Sequence, residues 1–362
     1  MKILHYINNL GSGGAEKLLT DILPLMKKEG HEVSLVISNS NRNMKRHEEV
    51  LKSNGIKVID LNTSFYNPFQ IISIVKLISI HKYDVIHSHL FPSQYWLALA
   101  SVFISKNVKL IKTEHSSFNK RRKYKILRPL EKIIYNRYHL IIAISENVKF
   151  NLNRWLRNRV KIVVVENGID LEEVHRNIRT KSNLYSLNYR TILMVSRFDG
   201  HVKDHSTLVK AINKLPDDIH LYLAGDGPNK KNIMDLVQSL NLGKRVFFLG
   251  LRNDVINLMH HADLNVLSTN HEGFSGVTLE SLASGAPFLG SNVAGVKEIV
   301  PNNSFLFSPG NVDELTSKIS RIIENDKARE QMIKASQNHI KRYHIEKMIF
   351  AYLDSYKNEL KE

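Results

Sequence analysis

Lys2-Ile3-Leu4-His5-Tyr6-Ile7-Asn8-Asn9-Leu10-Gly11-Ser12-Gly13-Gly14-Ala15-Glu16 opens the chain and decides the fold. Six mostly apolar residues read as a strand covered on both faces, and glycines then turn the chain. From 15 to 28 the apolar residues recur at helical spacing. Strand, glycine loop and helix N-terminus in that order are the first step of a doubly wound sheet, where backbone amides and the helix dipole can hold a phosphate. The loop is not G-x-G-x-x-G, and no acidic residue closes the second strand, so a nicotinamide dinucleotide is not indicated. Taken alone it is equally an ordinary turn whose Glu16 complements the helix dipole.

Outward from this unit the same rhythm repeats. Short apolar strands are predicted at 32–38, 57–61, 85–89, 109–115, 140–145 and 160–166, mostly separated by helical stretches. A polar interval at 167–189 interrupts the pattern, which resumes at 191–198, 220–225, 246–250, 264–268, 287–291 and 305–307. The tail, 312–360, reads as helical with a break near Tyr343-His344. At 362 residues the chain suits two cores. The fold class is therefore α/β, with two doubly wound Rossmann-like domains at 1–168 and 169–342. A C-terminal helix of about 343–362 is expected to pack back on the first. The most apolar runs, 69–80 and 95–104, fall short of the ~20 residues of a membrane span and read as buried crossover helices. The first residues read as a strand rather than a cleavable leader, so a cytoplasmic location is expected. With no cysteine, disulfides and thiolate sites are excluded.

Charge is unevenly spread. Residues 1–170 carry 27 Lys and Arg against 13 Asp and Glu, whereas 171–362 carry 24 against 22. Such asymmetry points to a polyanionic partner of the first half, either nucleic acid or an anionic membrane face. The densest run is Lys120-Arg121-Arg122-Lys123-Tyr124-Lys125, continuing through Arg128, Lys132 and Arg137. Ile126, Leu127, Leu130, Ile133 and Ile134 are interleaved at helical spacing. A basic helix with one apolar stripe can lie on anionic lipid, or bury the stripe and keep a solvated cationic face. No nucleic-acid-reading module accompanies the charge.

In the second half, Glu272-Gly273-Phe274-Ser275-Gly276-Val277-Thr278-Leu279-Glu280 follows a strand and opens a helix. Glu272 is placed in the loop and Glu280 about two turns into the helix. The amides of Gly273 to Val277 can bind a diphosphate, Glu280 can accept from ribose hydroxyls, and Glu272 can meet the transferred group. A plain capped helix explains the same spacing. Arg197 ends one strand and Lys203 precedes the next helix, so two cations stand where a departing diphosphate would be stabilised. His87, His89 and His115 sit at strand ends in the first half. No carboxylate or third histidine stands at ligand spacing, so no metal site is expected.

Together these residues resemble the retaining glycosyltransferases of family four. The resemblance spans Gly13-Gly14-Ala15-Glu16, Thr113-Glu114-His115, Asn167-Gly168-Ile169-Asp170, Arg197 with Lys203, Ala224-Gly225-Asp226-Gly227-Pro228, Phe248-Leu249-Gly250, Glu272 to Glu280, and Ala283-Ser284-Gly285-Ala286-Pro287. It implies a GT-B architecture, two Rossmann-like domains facing across a cleft, with acceptor bound by the first and nucleotide-sugar by the second. It further implies that Glu272 contacts the donor sugar, Glu280 the ribose, Arg197 and Lys203 the diphosphate, Gly14 the phosphates, and His115 the donor sugar. Gly225 and the backbone of Gly273, Phe274, Ser275, Gly276 and Val277 complete the donor site. The resemblance implies retention without a metal or other cofactor. The expected donor is a UDP-sugar rather than a GDP-sugar, and the expected acceptor a polyprenyl-linked or other lipid-linked glycan. Phe274-Ser275-Gly276 and Val296-Lys297-Glu298 depart from the family pattern and leave the donor sugar open. A sugar-nucleotide epimerase or phosphorylase of the same architecture is the nearest alternative, and a basic nucleic-acid-binding protein the non-enzyme one.

Overall fold

A computed structural model describes residues 1–117, 119–157, 160–178, 185 and 188–362, without the side chain of Lys120. The polar interval at 167–189 is thus only partly among the described residues. Two compact units are present: Met1–Gly168 with Ile345–Glu362, and Ile169–His344.

Among the described residues the first unit is built on seven parallel strands, β1 (Lys2–Ile7), β2 (Glu32–Ile37), β3 (Lys57–Asp60), β4 (Val85–His89), β5 (Lys109–Glu114), β6 (Leu140–Ala143) and β7 (Lys161–Val164). Their order is β3-β2-β1-β4-β5-β6-β7. Successive side chains of a strand point to opposite faces, and β1 obeys this. Ile3 and Ile7 join one core with helices Gly14–Lys28 and Ile345–Lys361, while Leu4 and Tyr6 join the other with helices Gln70–His81, Ser93–Ala100 and Arg128–Tyr135. The last helix buries Ile345, Met348, Ile349, Tyr352, Leu353 and Tyr356. Each such burial contributes about 1.5–3 kcal/mol, so this helix is part of the first core. A Cβ on Gly168 would lie 2.7 Å from Ile345 Cα, a clearance only glycine allows.

Among the described residues the second unit has six parallel strands, β8 (Arg190–Val195), β9 (Ile219–Ala224), β10 (Val246–Gly250), β11 (Leu264–Leu267), β12 (Phe288–Ser291) and β13 (Leu306–Phe307), in the order β10-β9-β8-β11-β12-β13.

Three expectations need correction. The predicted buried crossover helices are half covered: Phe69, Ile72, Ile80, Leu99, Val102 and Phe103 are exposed. Only the side of each helix that meets the sheet is buried, and no helix is long and apolar enough to cross a membrane among the described residues. The basic segment is not one helix. Lys120–Lys123 and Lys125–Leu127 form 3-10 turns, and the α-helix begins at Arg128, where Pro129 fits the first turn. Its buried side is Glu131, Ile134 and Tyr135, leaving Ile126, Leu130 and Ile133 exposed. Finally, the helical tail breaks once more than expected, at Asn325, whose side chain caps the helix Asp326–Ile340.

Candidate active site

At the carboxyl ends of β8, β9 and β11 the loops are stitched together. Gly225 and Gly227 have φ of 138° and 154°, and a Cβ there would lie 2.0 Å from Ser196 O and 2.4 Å from Phe198 O. Glycine at both positions lets the β9 loop lie against the end of β8, where Arg197 is exposed. Asp199 Oδ1 accepts from the amides of Val202 and Lys203, both at 2.9 Å. Asp204 N donates to Ser268 O and Asn270 N to Val202 O, so the loops after β8 and β11 run side by side. This registration brings Lys203 Nζ onto Glu272 Oε1, with only 15% and 13% of the two side chains exposed.

Glu272–Ser275 rests on Gly295. Ser275 N donates to Gly295 O at 3.0 Å, and a Cβ on Gly295 would come within 2.8 Å of Glu272 Cβ. The Ser275 hydroxyl accepts from Thr278 N, capping the helix Gly276–Ala283. Phe274 is buried edge-on against Tyr343, ring centroids 5.7 Å apart. The side chains of Phe274 and Ser275, and the Ser275 amide, are therefore used by the fold. The first-turn amides of Gly276 and Val277 have no partner within the helix, as in any helix N-terminus. Glu280 is the fifth helical residue, one turn in rather than two, because the Ser275 cap sets the helix start at Gly276.

Gly14 and His115 belong to the first unit. Gly14 is the exposed first residue of its helix, and a Cβ there would meet nothing within 4 Å, so packing alone does not demand glycine. His115 lines a pocket of about 410 Å³ with Leu90, Phe91, Gln94, Asn119 and Arg121. Arg121 Nε donates to Glu131 Oε1 at 2.9 Å, and its guanidinium lies 4.0 Å from the Phe91 ring centroid. Glu114, which also lines the pocket, accepts from Tyr135 at 2.8 Å and Lys112 at 3.2 Å, and pairs with Arg122 at 3.4 Å. Burial pushes the Lys112 amine down to about 8 despite Glu114. Burial raises the Glu114 carboxyl, but Lys112 and Arg122 outweigh it and hold the group at about 2.

Behind His115 the structure gathers more histidines than the spacing foretold. β1 and β4 pair with His5 opposite His87, and ring nitrogens of His5, His87 and His89 lie within 4.8 Å of one another. This corrects the expectation that no third histidine stands near His87 and His89: it comes from a strand 82 residues earlier, adjacent only in the sheet. All of these nitrogens except His5 Nε2 are engaged in hydrogen bonds. His87 meets Tyr356 OH at 2.5 Å and Thr113 Oγ1 at 2.7 Å. His5 Nδ1 meets His89 Nε2 at 3.0 Å, and His89 Nδ1 meets His115 Nε2 at 3.1 Å. Sequence reasoning missed His5, Lys112, Asp199 and Gly295. A histidine or lysine alternating with apolar residues inside a buried strand was the available signal for the first two.

Two parallel-sheet units, one with a cation–carboxylate pair and a helix N-terminus at its strand ends, define the class: a protein of two Rossmann-like units. Sequence profiles narrow it. Glycosyltransferase Family 4 matches residues 12–173, and Glycosyl transferases group 1 matches 175–339. Among relatives, N-acetyl-alpha-D-glucosaminyl L-malate synthase of Bacillus anthracis is 22% identical over 97% of this chain and 95% of its own length. The N-acetylgalactosamine-N,N'-diacetylbacillosaminyl-diphospho-undecaprenol 4-alpha-N-acetylgalactosaminyltransferase of Campylobacter jejuni is 27% identical over 90% of each chain. The crystal structure of Anabaena HepE with UDP and glucose superposes with a TM-score of 0.86 at 22% identity, covering 99% of this chain and 100% of that one. The chain belongs to the family-four glycosyltransferases of GT-B fold.

Proposed function

We propose that this enzyme transfers a hexosyl or N-acetylhexosaminyl group, with retention, from a UDP-sugar to a polyprenyl-linked glycan during surface polysaccharide assembly. The observation that carries the donor half of this reading is the Lys203–Glu272 pair, held at the strand ends beside the Gly276 helix N-terminus. Lys203 and Arg197 neutralise the charge that develops on the departing diphosphate, which is where electrostatic stabilisation is most effective. Glu272 holds Lys203 until the diphosphate arrives, then contacts the transferred sugar. His115 and Gly14 act from the first unit. The departing diphosphate takes the acceptor's proton, and no metal or other cofactor is required.

A thermal-shift panel of UDP, GDP and their sugars tests the donor, since a ligand that binds only the folded state raises the melting temperature. UDP-sugars should shift it more than GDP-sugars. Glu280→Ala should weaken UDP binding by about 1–3 kcal/mol, the cost of leaving ribose hydroxyls unpaired. Unchanged affinity by calorimetry would remove Glu280 from the ribose site.

For the acceptor, the name of the C. jejuni relative specifies a diphospho-undecaprenol-linked substrate, and that of the B. anthracis relative specifies synthesis of N-acetyl-alpha-D-glucosaminyl L-malate. The surface of this chain favours the lipid. Ile126 is 86% exposed, and Leu130 and Ile133 are exposed beside Lys125 and Arg137. Each basic residue near an anionic leaflet contributes about 1 kcal/mol, so the first unit docks reversibly on the inner face of the cell membrane. Arg121 and Arg122 hold Glu131 and Glu114, so reversing them would test folding rather than docking. The informative variant is Lys125→Glu with Arg137→Glu. In vesicle sedimentation, binding to anionic but not neutral vesicles should fall with salt and with this variant. Binding to neutral vesicles alike would refute the electrostatic account, and no binding would favour a soluble acceptor. Sugar interconversion without acceptor would identify an epimerase instead.

A further inference from the structure

We propose that His89, backed by His5, is a positioning residue that fixes His115 as the Nδ1–H tautomer, a hydrogen-bond donor toward the pocket. The geometry is a continuous chain: His5 Nδ1 to His89 Nε2 at 3.0 Å, then His89 Nδ1 to His115 Nε2 at 3.1 Å. His5 and His89 are fully buried, while His115 opens partly to the pocket. His115 Nε2 is occupied by His89, so Nδ1 is the nitrogen left for a ligand.

A neutral imidazole has one donor and one acceptor, so such a chain has only two polarities. Burial holds all three rings neutral, His5 down to about 3, His115 to about 4, and His89 well below its ordinary value. If His115 donated from Nε2, His89 would donate to His5, and His5 Nε2 would carry a hydrogen. That atom is buried with no hydrogen-bond partner among the described residues. Buried N–H groups without an acceptor are rarer than acceptors without a donor. The opposite polarity therefore holds: His5 Nδ1–H donates to His89 Nε2, His89 Nδ1–H donates to His115 Nε2, and His115 keeps its hydrogen on Nδ1. A ligand there must offer a hydrogen-bond acceptor, as sugar hydroxyls and phosphates do.

The neighbours support the same geometry. His87, stacked on His89 with centroids 4.2 Å apart, is itself locked between Tyr356 and Thr113. Tyr356 lies on the returning C-terminal helix, so that helix clamps the chain of rings. The effect on turnover rests on the glycosyltransferase reading above; the tautomer does not.

Long-range 1H–15N spectra of histidine-labelled protein read the tautomer directly, with His115 assigned by its loss in His115→Asn. The native protein should show His115 protonated on Nδ1, and protonation on Nε2 would overturn the proposal without any further variant. Two conservative replacements separate positioning from simple packing. An asparagine amide can stand near the imidazole Nδ1 and a glutamine amide near Nε2. His89→Asn should therefore keep the bond to His115 and its tautomer, whereas His89→Gln should release His115 into a mixture containing Nε2–H. His89→Gln should also lower kcat at least about tenfold with donor KM little changed, the pattern of a misoriented tautomer. Identical His115 tautomers in the two variants would overturn the proposal.

Discussion

Lys203→Ala should lower turnover by roughly 10²–10³-fold while weakening UDP binding far less, because its charge matters most when the diphosphate departs. The residue is unusually fixed for a lysine. Its amide is held by Asp199 at 2.9 Å, its backbone pairs with Thr269, and its amine is held by Glu272 in a site that leaves little of either side chain exposed. A cation already in place needs no reorganisation during reaction, which is what makes electrostatic stabilisation effective. Arg197, exposed at the end of β8, should follow the same pattern to a smaller degree. Single-turnover rates and calorimetric UDP affinities on each variant supply the two numbers. Equal losses in rate and binding would mean that Lys203 only holds the ground state. Asp199→Ala, which removes the loop anchor while leaving Lys203 and Glu272 in place, should reproduce part of the rate loss.

How far the sequence revealed this arrangement depended on the distance between partners. The strands were legible because each is a short apolar run between turn residues, and their predicted limits differ from the observed ones by a few residues at most. Glu272, Gly276 and Glu280 were legible as a loop and helix start, since Ser275 provides a local cap. The Lys203–Glu272 pair was not legible. The residues are 69 apart, and meet only because Asp204 N finds Ser268 O and Asn270 N finds Val202 O. His5 was hidden for the same reason, becoming a neighbour of His87 only through β1–β4 register. The exposed face of helix Gln70–His81 was missed for a different reason, whereas for Arg128–Tyr135 the sequence leaves a lipid-facing and a buried stripe both open. Apolar residues such as Phe69 and Ile72 look like core, and composition alone does not say which side of a helix the sheet covers.

Glu114→Gln should destabilise the first unit by about 3–5 kcal/mol, the usual consequence of removing one partner from a buried ion pair. Lys112 is fully buried, its amine 3.4 Å from the Tyr135 ring centroid, and Glu114 is its nearest anion. Neutralising the carboxyl leaves Lys112 and Arg122 as buried cations without their nearest counter-charge. Lys112→Met with Glu114→Gln should recover part of the loss, since an apolar replacement removes the desolvated charge altogether. Both tryptophans, Trp96 and Trp155, lie in the first unit, so their fluorescence during urea unfolding reports this unit selectively. The pH dependence carries the sign. Glu114 titrates at about 2 in the folded protein against an ordinary 4.5. Its contribution is thus full above about 4.5 and lost as pH falls toward 2. Native and Glu114→Gln curves should therefore separate at neutral pH and converge on acidification. Lys112 works oppositely: its folded value of about 8 lies below 10.5, so its burial cost is present at neutral pH and relieved as pH rises from 8 to 10.5. Without Glu114 the Lys112 amine should fall further, and the variant should regain stability at lower pH than the native protein does. Parallel native and variant curves from pH 3 to 10 would show that the ion pair does not govern the stability of this unit.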